Sequence, residues 1–63
     1  MKSAEIIREL KAAGWFLSRV RGSHHVIKHP THPGHVEVPH PKKDLGTGLV
    51  AAIRKQARLT EQP

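Results

Sequence analysis

Apolar residues recur at helical spacing at the beginning of the chain. Three of them fall on one face of a helix: Ile6, Leu10 and Ala13. This spacing predicts a first helix over residues 3–13. Ser3 is expected to cap its N-terminus, Glu5 is favourably placed in its first turn, and Gly14 is expected to end it.

The same periodicity returns near the end of the chain. It predicts a second helix that begins with Thr47 as its cap and runs to about Leu59. Its apolar stripe consists of Leu49, Val50, Ile53 and Ala57. Its basic residues are expected to be more exposed: Arg54, Lys55 and Arg58.

Three shorter segments with strand character lie between the two helices. They cover residues 15–21, 24–28 and 35–38. Gly22-Ser23 predicts a hairpin turn between the first two strands, and the proline-rich segment 29–34 predicts a second turn. The three strands are therefore predicted to form an antiparallel meander.

Alternation along these strands assigns side chains to the two faces of the sheet. Arg19 and Arg21 are expected on the same face as Leu17, which makes that face cationic towards its end. His24 and His25 are consecutive in the second strand and therefore point to opposite faces. The core is expected to receive Trp15, Phe16, Val36 and Val38.

The element order α-β-β-β-α predicts an α+β fold. Two helices would pack on one face of a three-stranded antiparallel sheet. No repeat or second hydrophobic unit interrupts residues 1–63, so a single small domain is expected. The last residues, 61–63, are expected to be loose.

The chain is strongly basic. Eleven Lys and Arg against five Asp and Glu give a net charge of +6, with a pI near 10.6. A field of this sign favours a polyanion such as RNA, or an acidic protein, as partner. There is no cysteine, no signal-peptide pattern and no apolar run long enough to span a bilayer, so we expect a cytoplasmic protein without a membrane partner.

Six histidines lie between residues 24 and 40, and they are the main candidates for chemistry. Their spacing includes ligand-like intervals, but without thiolates or the framework of a known site, so neither a native metal nor a cofactor is expected. Four of them, beside prolines or at a strand start, are expected to be exposed polar residues: His29, His32, His35 and His40. A single histidine, with an ordinary pKa near 6.5, suffices for RNA cleavage because the 2′-hydroxyl is an internal nucleophile.

Several short motifs follow one another in a characteristic order: Gly14-Trp15, Gly22-Ser23-His24, His29-Pro30, Val38-Pro39-His40-Pro41 and Lys55-Gln56-Ala57. This order resembles that of the HicA family of bacterial toxins. Each motif alone is weak evidence for the family, but together the motifs cover nearly the whole chain and follow the family's order. One departure is Arg58, where many relatives have glycine, and it leaves the end of the last helix less sharply defined.

The resemblance implies a fold similar to the double-stranded RNA-binding domain, cleavage of mRNA, and neutralisation by a HicB antitoxin. It also implies that His24 is the functional histidine, while His25 stays open because some relatives carry the histidine one position later. The RNA-binding residues would be Arg19, Arg21, Gly22, Ser23, Lys28, Lys42 and Lys43. The residues alone leave two alternatives, a non-catalytic module that binds double-stranded RNA and a protein that docks an acidic partner.

Overall fold

The computed structural model describes residues 1–59, and the predicted terminal segment 61–63 lies outside them. The elements follow the predicted order and are α1 (Ser3–Ala12), β1 (Phe16–Arg21), β2 (His24–His29), β3 (His32–Pro39) and α2 (Thr47–Gln56). The α-β-β-β-α plan is therefore confirmed.

The three strands form one antiparallel sheet in the order β1-β2-β3, and both helices pack on the same face. The core lies between these layers and contains Ile6, Leu10, Trp15, Ile27, Val36, Val38, Leu45, Val50, Ile53 and Ala57. Within residues 1–59, neither helix is long and apolar enough to cross a membrane. The two helices are also joined by a bidentate pair, since Arg54 donates from Nη2 to Glu9 Oε2 at 2.8 Å and from Nε to Oε1 at 3.2 Å.

A bulge at Ser18 changes the face assignment that alternation predicts for β1. Leu17 pairs with Ile27, and the next paired residue is Arg19, opposite Val26. The extra residue moves Arg19 and Arg21 to the face opposite Leu17, so the prediction that all three share a face is wrong. Leu17 stays on the helix side while the two arginines face away from the helices.

The start of α1 differs from the prediction because Ser3 has a tertiary role. Lys2 holds the N-cap position, and its backbone N–H donates to Glu5 Oε1 at 2.8 Å. Ser3 is instead the first helical residue, and its hydroxyl is buried against the loop that follows β3. The helix ends at Ala12, and Ala13, predicted on the apolar face, is exposed.

The second helix is shorter than predicted at its C-terminus. Gly46 holds the N-cap position in place of Thr47, and the helix ends at Gln56. Arg58 takes a left-handed φ of 59° where glycine is the usual residue. Two backbone bonds close this end, Leu59 N–H to Arg54 O at 2.8 Å and Arg58 N–H to Lys55 O at 3.1 Å, which is a Schellman motif.

The predicted turn over residues 29–34 is only Pro30-Thr31, because β2 and β3 both extend into it. Trp15 is buried there against His29 and His32, whose ring centroids are 5.3 and 5.1 Å away. These two histidines are therefore half-buried packing partners and not exposed turn residues. Phe16, by contrast, was predicted in the core but remains 46% exposed.

Gly14 is required beside this aromatic corner. Its φ is +95°, and a Cβ atom there would come within 2.9 Å of His29 Nε2. Both the backbone conformation and the space therefore favour glycine. Gly14 thus permits the chain to leave α1 and place Trp15 against the histidines.

Candidate functional site

The face of the sheet that carries no helix, here called the open face, gathers most of the basic residues predicted to bind RNA. Strand pairing places these charged and imidazole side chains on it: Arg19, Arg21, His24, Lys28, His35 and Glu37. Arg21 is directly opposite His24 in the register, and Phe16 is opposite Lys28. The bulge at Ser18 is what brings the two arginines to this face.

His24 is accessible and lies beside a carboxylate. Its side chain is 53% exposed, and its Nδ1 lies 3.5 Å from Glu37 Oε1. A carboxylate at that position favours the tautomer with the proton on Nδ1, which leaves the Nε2 lone pair free. The geometry therefore places an accessible imidazole between a carboxylate on β3 and a cation, Arg21, on β1.

Glu37 joins two histidines on the open face, since its Oε2 also lies 3.2 Å from His35 Nε2. The hydrogen bond from His35 lowers the pKa of Glu37, and the charges of His35, Arg21 and His24 add to this effect. Glu37 therefore stays ionised at a pH where an ordinary glutamate begins to be protonated. The carboxylate remains available to hold the imidazole of His24.

A titration of the Glu37 carboxyl carbon by NMR is expected to show a midpoint below the ordinary value of 4.5. Because the folded-state pKa is lowered, ionised Glu37 favours folding above the ordinary pKa, and this contribution is lost as the pH falls through the lowered value. His35→Ala should move the midpoint up more than His24→Ala, since the bond from His35 is the largest cause. A wild-type midpoint at or above 4.5 would contradict this arrangement.

The remaining predicted residues divide between the turn and a more distant loop. Gly22 has a φ of +59° and forms the β1–β2 turn with Ser23, whose carbonyl accepts a bond from His40 N–H at 2.8 Å. Lys42 and Lys43 are exposed, but they follow β3 in a loop whose backbone is bonded to Ser3. These two lysines therefore do not lie on the strands that form the open face.

His25 points to the helix side of the sheet, and it therefore faces away from His24, as the alternation predicts. It lines a half-open pocket of about 330 Å³ between α1 and the sheet, here called the α1 pocket. The pocket is lined by Ala4, Ile7, Arg8, Lys11, Leu17, His25, Ile27 and His40. The His25 and His40 rings meet edge to face with centroids 4.7 Å apart.

His40 is a residue whose position the sequence analysis missed. It was expected to be an exposed polar residue, yet it is partly buried and its Nδ1 lies 2.7 Å from Ser3 Oγ. The two residues are 37 positions apart in the chain, and no local pattern connects them. The only signal in the sequence was that His40 belongs to the Val38-Pro39-His40-Pro41 motif of the family-like pattern.

Among residues 1–59, no group of three or more His, Cys, Asp or Glu side chains is arranged to hold a metal ion. The histidines are divided among the open face, the α1 pocket and the corner at Trp15. The chemistry available at each location is therefore that of imidazoles with their neighbouring cations and carboxylate.

Comparison with known proteins places this arrangement in a family. The family model described as "HicA toxin of bacterial toxin-antitoxin" matches residues 3–59. A solved structure described as "HicA3 and HicB3 toxin-antitoxin complex" contains a similar chain, with a TM-score of 0.77 and 29% identity over 92% of this chain and 94% of that chain. A search of curated proteins found no match.

Proposed function

This chain belongs to the HicA family of bacterial toxin-antitoxin toxins, and we propose that it is an endoribonuclease that cleaves mRNA with His24 as its catalytic residue. The observation that supports this proposal best is the open face itself. There an accessible imidazole lies between a cation on one strand and a carboxylate on the other. Neither a metal nor a cofactor is needed for the step described below.

The reaction uses the RNA's own 2′-hydroxyl as nucleophile. His24 Nε2 takes the proton of this hydroxyl, the 2′-oxygen attacks the adjacent phosphorus, and the bond from phosphorus to the 5′-oxygen breaks. The departing 5′-oxygen receives a proton, which His24 can return. The products are a 2′,3′-cyclic phosphate and a free 5′-hydroxyl.

Two neighbours of His24 assist this step in different ways. Arg21 is opposite His24 and stabilises the negative charge that grows on the phosphoryl oxygens in the transition state. Glu37 does not touch the RNA in this scheme but orients the imidazole through Nδ1, so it is a positioning residue. Ser23 is placed next to His24 in the turn, where its hydroxyl can donate to a phosphate.

Binding of the RNA backbone is assigned to the open-face cations: Arg21 opposite the catalytic histidine, and Arg19 and Lys28 further along β1 and β2 from the turn. Gly22 allows close approach at the turn, since a side chain is absent there. Lys42 and Lys43 extend the basic surface beyond β3. Contacts of this kind neutralise phosphates and read little sequence, so binding should weaken steeply as salt is raised.

The proposed cellular role is inhibition of translation in the cytoplasm until an antitoxin binds. The similar solved chain is described in complex with HicB3, and a HicB-type protein is the partner we propose here. The net charge of +6 favours a partner that presents acidic residues. Such a partner would inhibit cleavage by covering the open face.

The proposal is tested with purified protein and a long single-stranded RNA in EDTA. The expected result is cleavage that leaves 2′,3′-cyclic phosphate ends, which a cyclic-phosphodiesterase treatment identifies. The matched control is an RNA of the same sequence with 2′-O-methyl groups, which must bind and remain uncut. This control separates attack by the 2′-hydroxyl from attack by water.

Three outcomes would overturn the proposal. If the protein binds RNA at enzyme excess and never cuts it, it is a non-catalytic RNA-binding module. If it fails to bind RNA even at low salt, its basic surface serves an acidic protein partner instead. A requirement for a divalent metal would also contradict the histidine mechanism.

A further inference from the structure

The α1 pocket lies on the opposite face of the sheet from His24 and is not used by the proposed cleavage step. Its wall on α1 comes from one helical face, which carries Ile7, Arg8 and Lys11. Its other wall comes from the sheet, with Leu17 and His25, and His40 also lines it. The pocket therefore combines an apolar interior with cations and two imidazoles.

The cations of this pocket have no partner among the residues that the structure describes. Within residues 1–59, neither Arg8 nor Lys11 forms an ion pair or a side-chain hydrogen bond. None of the described residues that line the pocket is acidic. Two unpaired cations over an apolar floor favour a ligand that joins a negative charge to an apolar body.

The hydrogen bonds of Ser3 favour one tautomer of His40. Lys42 N–H donates to Ser3 Oγ at 2.9 Å, and Ser3 is only 1% exposed. Among the described residues, His40 Nδ1 at 2.7 Å is the acceptor left for the buried hydroxyl proton, which favours neutral His40 with its ring proton on Nε2. His40 thus adds an N–H donor to a pocket that already carries two cations.

We propose that the α1 pocket binds one nucleotide of the RNA, with the base against the His25–His40 pair and the apolar floor, and the phosphate at Arg8 and Lys11. A volume of about 330 Å³ lies within the range of small-ligand sites, and flat bases pack well on aromatic rings. A single carboxylate side chain would use the cations but leave the imidazole pair and the apolar floor largely unfilled. A nucleotide would use the cations with its phosphate and fill the imidazole pair and the apolar floor with its base.

This inference rests on the proposed function only in taking RNA as the natural ligand. The pocket is lined by Leu17 of the edge strand β1, so RNA that leaves the open face across this edge can reach the pocket. The pocket then holds a nucleotide that flanks the cleaved bond. It contributes to binding and not to bond breaking.

The first test uses free mononucleotides, because their binding does not depend on cleavage. Adenosine, cytidine, guanosine and uridine 5′-monophosphates are titrated into the labelled protein while the imidazole signals of His25 and His40 are followed by NMR. We expect saturable shifts of these two histidines in the wild type and equally in His24→Ala. Each of Arg8→Ala and Lys11→Ala should weaken binding at least about fivefold, since each removes a charged donor.

Lys55→Ala is the matched control, because Lys55 is an exposed lysine on α2 outside the pocket. It removes the same charge as Lys11→Ala and should leave mononucleotide affinity unchanged. Inorganic phosphate and uncharged adenosine should each bind at least about tenfold more weakly than the mononucleotide, since each fills only one part of the pocket.

Three results would overturn the inference. The first is that inorganic phosphate binds as tightly as a mononucleotide, which would mean that the pocket is only an anion site. The second is equal or tighter binding of N-acetylglutamate, which would assign the pocket to an acidic protein partner. The third is that the mononucleotides shift only the NMR signals of residues on the open face.

The cleavage assay gives a second readout that separates this inference from the proposed function. In an active enzyme, Arg8→Ala and Lys11→Ala should raise KM while kcat stays within about twofold, because they remove binding and leave His24 in place. An enzyme that never cuts RNA but still binds mononucleotides at His25 and His40 would contradict the proposed function and support the pocket. If Arg8→Ala and Lys11→Ala both lowered kcat, and by the same factor, the pocket would not be acting as a binding site.

Discussion

His24→Ala is expected to lower kcat for RNA cleavage by a factor of about 10²–10⁴, the usual contribution of a positioned general acid–base group. The side chain is 53% exposed and supports no part of the core, so its removal should leave the fold intact. RNA affinity should change little, because the open-face cations remain. Single-turnover rates, with circular dichroism to check folding, measure this effect.

His25→Ala is the discriminating comparison because the two histidines are consecutive and face opposite sides of the sheet. It removes a ring from the α1 pocket and should raise KM more than it lowers kcat. If His25→Ala abolishes kcat while His24→Ala remains active, the nuclease is retained but its catalytic group lies in the pocket. Equal activity of both variants with the wild type would rule out either histidine as the catalytic group.

The fold follows from the sequence as far as local periodicity determines it. Ile6 and Leu10 at helical spacing, and Val36 and Val38 in alternation, specify both the elements and the buried face. Turn chemistry then places the β1–β2 hairpin at Gly22-Ser23. The element order and the antiparallel sheet could therefore be predicted before any coordinate was known.

The parts that could not be predicted depend on contacts between distant segments. The bulge at Ser18 has no signature in the strand's apolar pattern, yet it decides the face on which Arg19 and Arg21 lie. Ser3 looks like a helix cap by its type and position, but the loop after β3 makes it a buried partner of His40. Tertiary contacts overrode local preference in both cases.

The same distinction between local patterns and distant contacts applies to the candidate functional residues. Alternation alone separated His24 from His25 onto opposite faces, and the register confirmed that separation. The approach of Glu37 to His24 required knowing how β3 pairs with β2, and the pairing of His25 with His40 required the position of the loop after β3. A sequence indicates which residue types carry chemistry, while their partners come from the packed fold.

Leu10→Ala is expected to cost about 2–5 kcal/mol of unfolding free energy, the range for a buried leucine. Leu10 is fully buried between α1 and the sheet, where its removal leaves a cavity in a small core. A chain of this size rarely has more than about 3–5 kcal/mol of stability from its core alone. Much of the variant should therefore be unfolded at 25 °C, with the melting temperature lowered by roughly 10 °C or more.

Leu49→Ala is the matched control, because it makes the same chemical change at a residue that is 41% exposed on α2. Its cost should be below about 1 kcal/mol, since little apolar area is lost from the core and alanine favours the helix. Urea unfolding of both variants measures the difference. If Leu10→Ala were no more destabilising than Leu49→Ala, α1 would not belong to the cooperative core, and the α1 pocket could not be a preformed site. A binding partner that restores folding of Leu10→Ala would instead be adding its own binding free energy to the folded state, which mass action predicts for any ligand of the native form.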